Sequence, residues 1–86
     1  MNRRKFFDML DNHDNLKVIF YKDLEIITMF DMSIESIEEY DDEIVIRGMG
    51  NTFVILGGEP KANINDDLEE EFIFDKGDVR VGIIFK

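Results

Sequence analysis

Two runs of carboxylates are the groups in this 86-residue sequence whose type and spacing point to chemistry. Glu35, Glu38, Glu39, Asp41, Asp42 and Glu43 form the first, and Asp66, Asp67, Glu69, Glu70 and Glu71 form the second. Residues 1–30 carry five acids and five bases and cancel, whereas residues 31–86 carry fifteen acids and five bases and hold the whole net charge of −10. Like charges repel within a compact fold, so both runs are expected on the solvated surface, where they project a negative field. Such a field repels nucleic acid and anionic membrane and attracts basic protein surfaces. Two readings compete. One is a solvated face that aids solubility and blunts sheet edges. The other is a surface that imitates a polynucleotide backbone. Duplex DNA presents one charge per ~1.7 Å of axis, and carboxylates on paired strands, ~3.3 Å apart along each, can approximate that row. On this second reading the acids of both runs, with Tyr40 as an aromatic anchor, cover the basic groove of a nucleic-acid-binding enzyme. That is an inhibitor of the anti-restriction or anti-CRISPR kind, with no direct contact to nucleic acid.

Other chemistry has less to stand on. Asn63-x-Asn65-x-Asp67 superficially matches the start of a calcium-binding loop. Such a loop needs Gly sixth and Glu twelfth, and those positions hold Leu68 and Phe74. No metal and no cofactor is therefore expected. The chain has no cysteine, which excludes a disulfide scaffold, a thiolate zinc site and a cysteine nucleophile. His13 stands in a turn-like stretch beside Asp11 and Asp14 and reads as a solvated turn residue. Ser33 and Ser36 have no base in a triad pattern. Nothing singles out an acid–base pair among the twenty carboxylates. Gly48-x-Gly50 precedes a strand rather than a helix, so it is turn chemistry and not a dinucleotide fingerprint. A non-catalytic protein is expected.

The elements that must position these groups follow from periodicity. Residues 1–12 are expected to be a short helix with Asn2 as cap, and Phe6, Phe7, Met9 and Leu10 lie on one side of it. A helix this short is marginal alone and must dock on something larger. Its apolar face reads as core or, if the sheet is already closed, as a contact between copies. Arg3, Arg4 and Lys5 are expected on its solvent side. From Leu16 the period becomes two. Leu16, Val18 and Phe20 share one face of a first strand, Lys22-Asp23 is a tight turn, and Leu24, Ile26, Thr28 and Phe30 line a second. Ile19, Ile27 and Met29 make the opposite faces partly apolar, which suggests cover on both sides. Ile34, Ile37 and Tyr40 fit either a helical turn capped by Ser33 or a bulged strand that turns all three inward, and strand is preferred. Two hairpins follow, 43–49 with 52–56 around Gly50-Asn51, and 71–75 with 78–85 around Lys76-Gly77. Gly57-Gly58-Glu59-Pro60 breaks the sheet, and Asn63 to Asp67 is loop-like. The expected fold is a single α+β domain over residues 1–86: a helix, then an antiparallel meander of about six to seven strands across 16–86, curled into a small sandwich or partly open barrel.

The basic start lacks an apolar stretch behind it, because Asp8, Asp11 and Asp14 interrupt it, so no secretory signal is expected. No uncharged run approaches the ~20 residues needed to span a bilayer. A cytoplasmic protein without membrane contact is the expectation.

The stretches Ile37-Glu38-Glu39-Tyr40-Asp41-Asp42-Glu43-Ile44-Val45-Ile46 and Phe53-Val54-Ile55-Leu56-Gly57-Gly58-Glu59 resemble the YabP/YqfC-like sporulation proteins. Gly77-Asp78-Val79-Arg80-Val81-Gly82 is similar to a later strand of theirs. The chain adds an N-terminal helix and the acidic segment from Asn63 to Glu71. The resemblance implies a non-enzymatic β-rich structural or assembly protein. The alternative function is therefore assembly by homo-oligomerisation, for which the chain's own residues offer the Phe6/Phe7 helix face or an edge strand.

Overall fold

The computed structural model describes residues 2–86; Met1, included in the expected helix, lies outside them. Helix α1 (Asn2–Asn12) precedes β1 (Asn15–Lys22), β2 (Glu25–Glu39), β3 (Glu43–Gly48), β4 (Phe53–Gly57), β5 (Lys61–Ile64), β6 (Glu70–Lys76) and β7 (Val79–Phe85). The seven strands make one sheet in the order β4-β3-β2-β1-β7-β6-β5. Every neighbouring pair is antiparallel. The helix followed by antiparallel strands is thus the fold, and the sheet curls without closing into a barrel.

The connection between the two outer strands forces the curl. Only Gly58, Glu59 and Pro60 lie between β4 and β5. Four Cα steps reach at most ~14 Å, whereas the edges of a flat seven-stranded sheet stand ~29 Å apart. The sheet must therefore bend until its edges approach, and β4 does reach β6 across the core. Pro60 is fully buried at this crossing, and Gly58 takes φ +79° there.

The concave side holds the core. Leu16, Val18, Met32, Ile44, Ile46, Val54, Leu56, Phe72, Phe74, Val81 and Ile83 surround Phe6 and Leu10 of α1. Phe6 is fully buried, its ring centroid 4.9 Å from Phe74, 5.3 Å from Phe72 and 5.4 Å from Phe85. The helix face is therefore core. Phe7 and Met9 are only partly buried against it. The helix starts on a distant cap rather than on Asn2: the Arg3 amide donates to Glu59 Oε1 at 3.1 Å. At its other end Asn12 Nδ2 donates to the Asp8 carbonyl, and His13 Nδ1 lies 2.9 Å from the Met9 carbonyl. His13 is not a solvated turn residue, because its ring is half-buried against Phe85 while it caps the helix.

Several local expectations shift. The β1–β2 turn is Asp23-Leu24, with Asp23 at φ +57°, so Leu24 stands in solvent at 90% exposure rather than on the apolar face. Ile26 is also exposed, because the register slips at Phe20/Tyr21 and pairs it with Tyr21. Gly50 sits in a three-residue loop, Met49–Asn51, closed by the Gly48 amide on the Thr52 carbonyl. The last turn is Gly77-Asp78, with Gly77 at φ +67° in the first loop position. Lys61–Ile64 forms an edge strand, so part of the stretch expected as loop is sheet. Residues 33–39 are strand, bulged between Ile34 and Ser36. The bulge puts both Ile34 and Ile37 on the concave side: Ile34 packs on the core, and Ile37, opposite the buried Ile46, lies at the rim and is 36% exposed. Tyr40 alone of the three does not turn inward, and it is 55% exposed.

Truncating Phe6 to Ala should cost ~3–5 kcal/mol, since one ring contacts three others in a sealed core. Phe7→Ala should cost distinctly less. Urea unfolding of the two variants reads the difference, and equal losses would refute this account of how α1 is held.

Candidate functional site

Alternation along extended strands decides where the acids go. Neighbouring residues on a strand point to opposite faces, so a run of consecutive carboxylates is divided between the two sides. Glu39 pairs in register with the core residue Ile44 and turns to the helix side, where Arg3 Nη2 lies 3.4 Å from its Oε2. Glu38 turns outward and takes Arg47 Nε at 2.7 Å and the Tyr40 hydroxyl at 2.6 Å. Arg47 in turn sits 5.7 Å from the Phe53 ring centre. The Arg47 guanidinium first, and the Tyr40 hydroxyl second, hold the Glu38 carboxyl below its usual range. Glu38 pushes the Tyr40 phenol up.

The second run is divided the same way. Glu70 faces the helix and accepts from Lys5 Nζ at 2.6 Å. Glu69 accepts from Lys86 Nζ at 2.8 Å, which lowers its carboxyl below the ordinary value. Glu71 turns to the convex face and is 3% exposed. It is therefore no partner contact, contrary to expectation. Its Oε2 accepts from the Tyr21 hydroxyl at 2.6 Å across β7. The carboxylate lies over Gly82, where any Cβ would collide with it. Beside it a cavity of about 210 Å³ is lined by Asn63, Ile73 and Arg80, among others.

Arg3 and Lys5 are two residues apart on α1, about 200° around the axis, so Glu39 and Glu70 lie on the two flanks of the helix. The acidic runs do not merge into one uninterrupted row: α1 and its bases stand between them. Asp41, Asp42 and Glu43, at the tip between β2 and β3, are exposed and form no ion pair among the described residues. The same holds for Glu35 at the bulge and for Asp66 and Asp67 before β6. Asn65 Oδ1 orders that loop by accepting from the amides of Asp67 and Glu69. Arg3, Glu39, Tyr40 and Asp41 line an open depression at the first tip. Among the described residues no group of three or more His, Cys, Asp or Glu side chains is placed to hold a metal. No helix among them is long and apolar enough to cross a membrane.

The Tyr21–Glu71 pair escaped sequence reasoning. Its signal was Gly82, a glycine inside an otherwise β-branched strand, which marks a place where another group approaches the backbone.

The comparisons add one relative. A probable transcriptional regulatory protein of Helicobacter pylori is 41% identical over 56 residues, which are 64% of this chain and 22% of that protein. The chain thus spans about a fifth of the length of the curated relative it matches. No family model matches the chain, and no solved structure does.

Burial, and then the Glu71 hydrogen bond, push the Tyr21 phenol well above its ordinary value. The folded state thus favours the neutral phenol. Its contribution is full below about pH 10, where an unfolded tyrosine ionises, and is lost as pH rises from there toward the raised folded value. Tyr21→Phe should cost ~1–3 kcal/mol at neutral pH, because a buried carboxylate loses its donor. The variant should then lose less stability than the parent between neutral pH and about pH 11. Denaturant titrations at the two pH values test both statements, and parallel alkaline losses would refute the second.

Proposed function

We propose that the protein is a non-catalytic interaction module whose acidic surface docks on a basic, nucleic-acid-handling protein, as an inhibitor or mimic that occupies the groove meant for phosphate. The observation that carries this reading is the β2–β3 tip. Tyr40, Asp41, Asp42 and Glu43 are exposed together there, and the three acids have no cation of their own among the described residues. Other acids are engaged: Glu38, Glu39, Glu69 and Glu70 already hold bases of this chain. The geometry thus favours a small anionic knob over a row of duplex length. An aromatic ring within a charged rim suits an anchor, and unpaired rim carboxylates steer a basic partner toward it. The Helicobacter pylori relative, described as a probable transcriptional regulatory protein, is compatible with a partner drawn from nucleic-acid-handling machinery.

The alternative is an assembly protein of the YabP kind that works through copies of itself. The Phe6 face does not support that route, since Phe6 and Leu10 are buried in the chain's own core. An edge strand is what remains for it.

Reversing Asp41, Asp42 and Glu43 to Lys should leave thermal unfolding near the parent's, because none of the three makes a folded-state ion pair. The same change should abolish capture of basic proteins from a cell extract. Captured proteins should elute with moderate salt, as rim charges are screened within ~10 Å at 0.1 M, and should also be displaced by duplex DNA. An unchanged captured set from the reversed variant, or one indifferent to salt and DNA, would refute the reading.

A further inference from the structure

The sheet's two outer strands are guarded, but a third edge is not. β5 is four residues long, follows the buried Pro60 and begins with Lys61. β4 is five residues long, curls against β6 and carries Phe53 beneath Arg47. Shortness, proline, lysine and curl are the devices that stop unwanted strand pairing. β2 is different. It runs for fifteen residues, and β3 pairs with it only from Ile34 to Glu39. Residues 25–33 therefore have β1 on one side and, among the described residues, no strand on the other.

The backbone on that side is open. The Ile34 amide donates to the Asp14 carbonyl at 2.8 Å, continuing the ladder with β1. Alternate residues of an antiparallel strand send both backbone groups to the same neighbour. Thr28, Phe30 and Met32 thus serve β1, and Met29 and Asp31 point their N–H and C=O groups outward. Exposed apolar side chains border the opening: Ile26 at 52%, Ile27 at 56% and Met29 at 46%. The charges around it are mostly negative. Asp23, Glu25, Asp31 and Glu35 are all exposed, against Lys22 in the turn, Lys17 opposite Asp31 on β1, and Lys86, whose charge Asp31 also feels. A second copy would bring the same acids and another −10 to this edge, so charge disfavours self-pairing.

We propose that residues 25–33 of β2 accept an extended segment of a partner protein by strand addition, the segment alternating apolar side chains with Lys or Arg. Outward backbone groups of Met29 and Asp31 supply the hydrogen bonds, Ile26, Ile27 and Met29 receive the apolar side chains, and the flanking acids select the basic ones. This rests on the reading that the domain works by contact with a basic protein, but it places the contact away from the β2–β3 tip.

The probe is a short blocked peptide of alternating valine and lysine, with a valine–glutamate peptide as control. Titrating the valine–lysine peptide into the labelled chain should shift the amide resonances of Met29 and Asp31, and the control should not. Met29→Pro removes an N–H that makes no bond within the sheet, so the fold should survive. Binding of the valine–lysine peptide should fall at least about tenfold, because the added strand loses a partner. Reversal of Asp41, Asp42 and Glu43 should leave that binding within about twofold, since these residues lie outside the edge; failure of the tip reading therefore appears separately. Shifts confined to residues 40–43, or a folded Met29→Pro variant that binds like the parent, would overturn the proposal. If the proline variant does not fold, the shift map of the unmodified chain decides alone. A parent dimer that Met29→Pro turns into a monomer would also overturn it, in favour of a second copy as the occupant.

Discussion

Three residues must carry the chain from one outer strand of a seven-stranded sheet to the other, and the rest of the structure follows from that short reach. Gly58 to Pro60 cannot cross a flat sheet, so the sheet bends and acquires a concave side with room for one helix. An eleven-residue helix has little stability of its own. It persists because Phe6 fills the hollow against Phe72, Phe74 and Phe85. The crossing segment also secures the helix start, since Glu59 accepts the Arg3 amide. One connection thus sets the curvature, seals the core with Pro60 and orients α1.

The orientation of α1 in turn governs the electrostatics. Arg3 and Lys5 leave the helix on opposite sides and reach Glu39 and Glu70, one from each acidic run. Surface pairs of this kind contribute ~1 kcal/mol or less each. Their consequence is positional: they hold the strand ends against the helix and take some carboxylates out of the free negative surface. Arg47 and Lys86 do the same for Glu38 and Glu69. The surplus charge that this leaves is concentrated at turns, where Asp41, Asp42, Asp66 and Asp67 have no strand neighbour to pair with. A strongly acidic composition therefore yields separate knobs rather than a continuous face.

Local periodicity made the helix, the first strands and the last hairpin legible, because Phe6 and Leu10, Leu16 and Val18, and Val81 and Ile83 repeat at the intervals of their elements. Turn positions slipped by one residue at Asp23-Leu24 and Gly77-Asp78, since glycine and aspartate tolerate positive φ and either neighbour fits the pattern. β5 was hidden because Lys61–Ile64 is exposed along its whole length and so carries no alternation. The strand order was hidden too. Nothing local in β7 says that it pairs with β1, and only the reach of the Gly58–Pro60 connection reveals that the sheet is bent. Of the acidic residues, the runs were visible, but their division between two faces depends on which carboxylate falls on which side of its strand. Glu71 shows how far this matters: one residue from Glu70, it is buried under a tyrosine instead of facing solvent.

The bulge between Ile34 and Ser36 connects these themes. Before it, β2 is matched to β1; after it, β2 is matched to β3, and the extra residue resets the strand so that both ladders are satisfied. Gly48 makes the junction feasible, because a Cβ there would stand 2.8 Å from the Ser33 carbonyl oxygen and 2.8 Å from Met32 Cε. β3 turns away at that glycine into the Met49–Asn51 loop, so it stops covering β2 where the backbone groups of Met29 and Asp31 begin to face outward. A longer β3 would close this edge, and a shorter β2 would not present it. The length mismatch between the two strands is thus what leaves an apolar, acid-flanked strand edge open on a sheet whose outer strands are both protected.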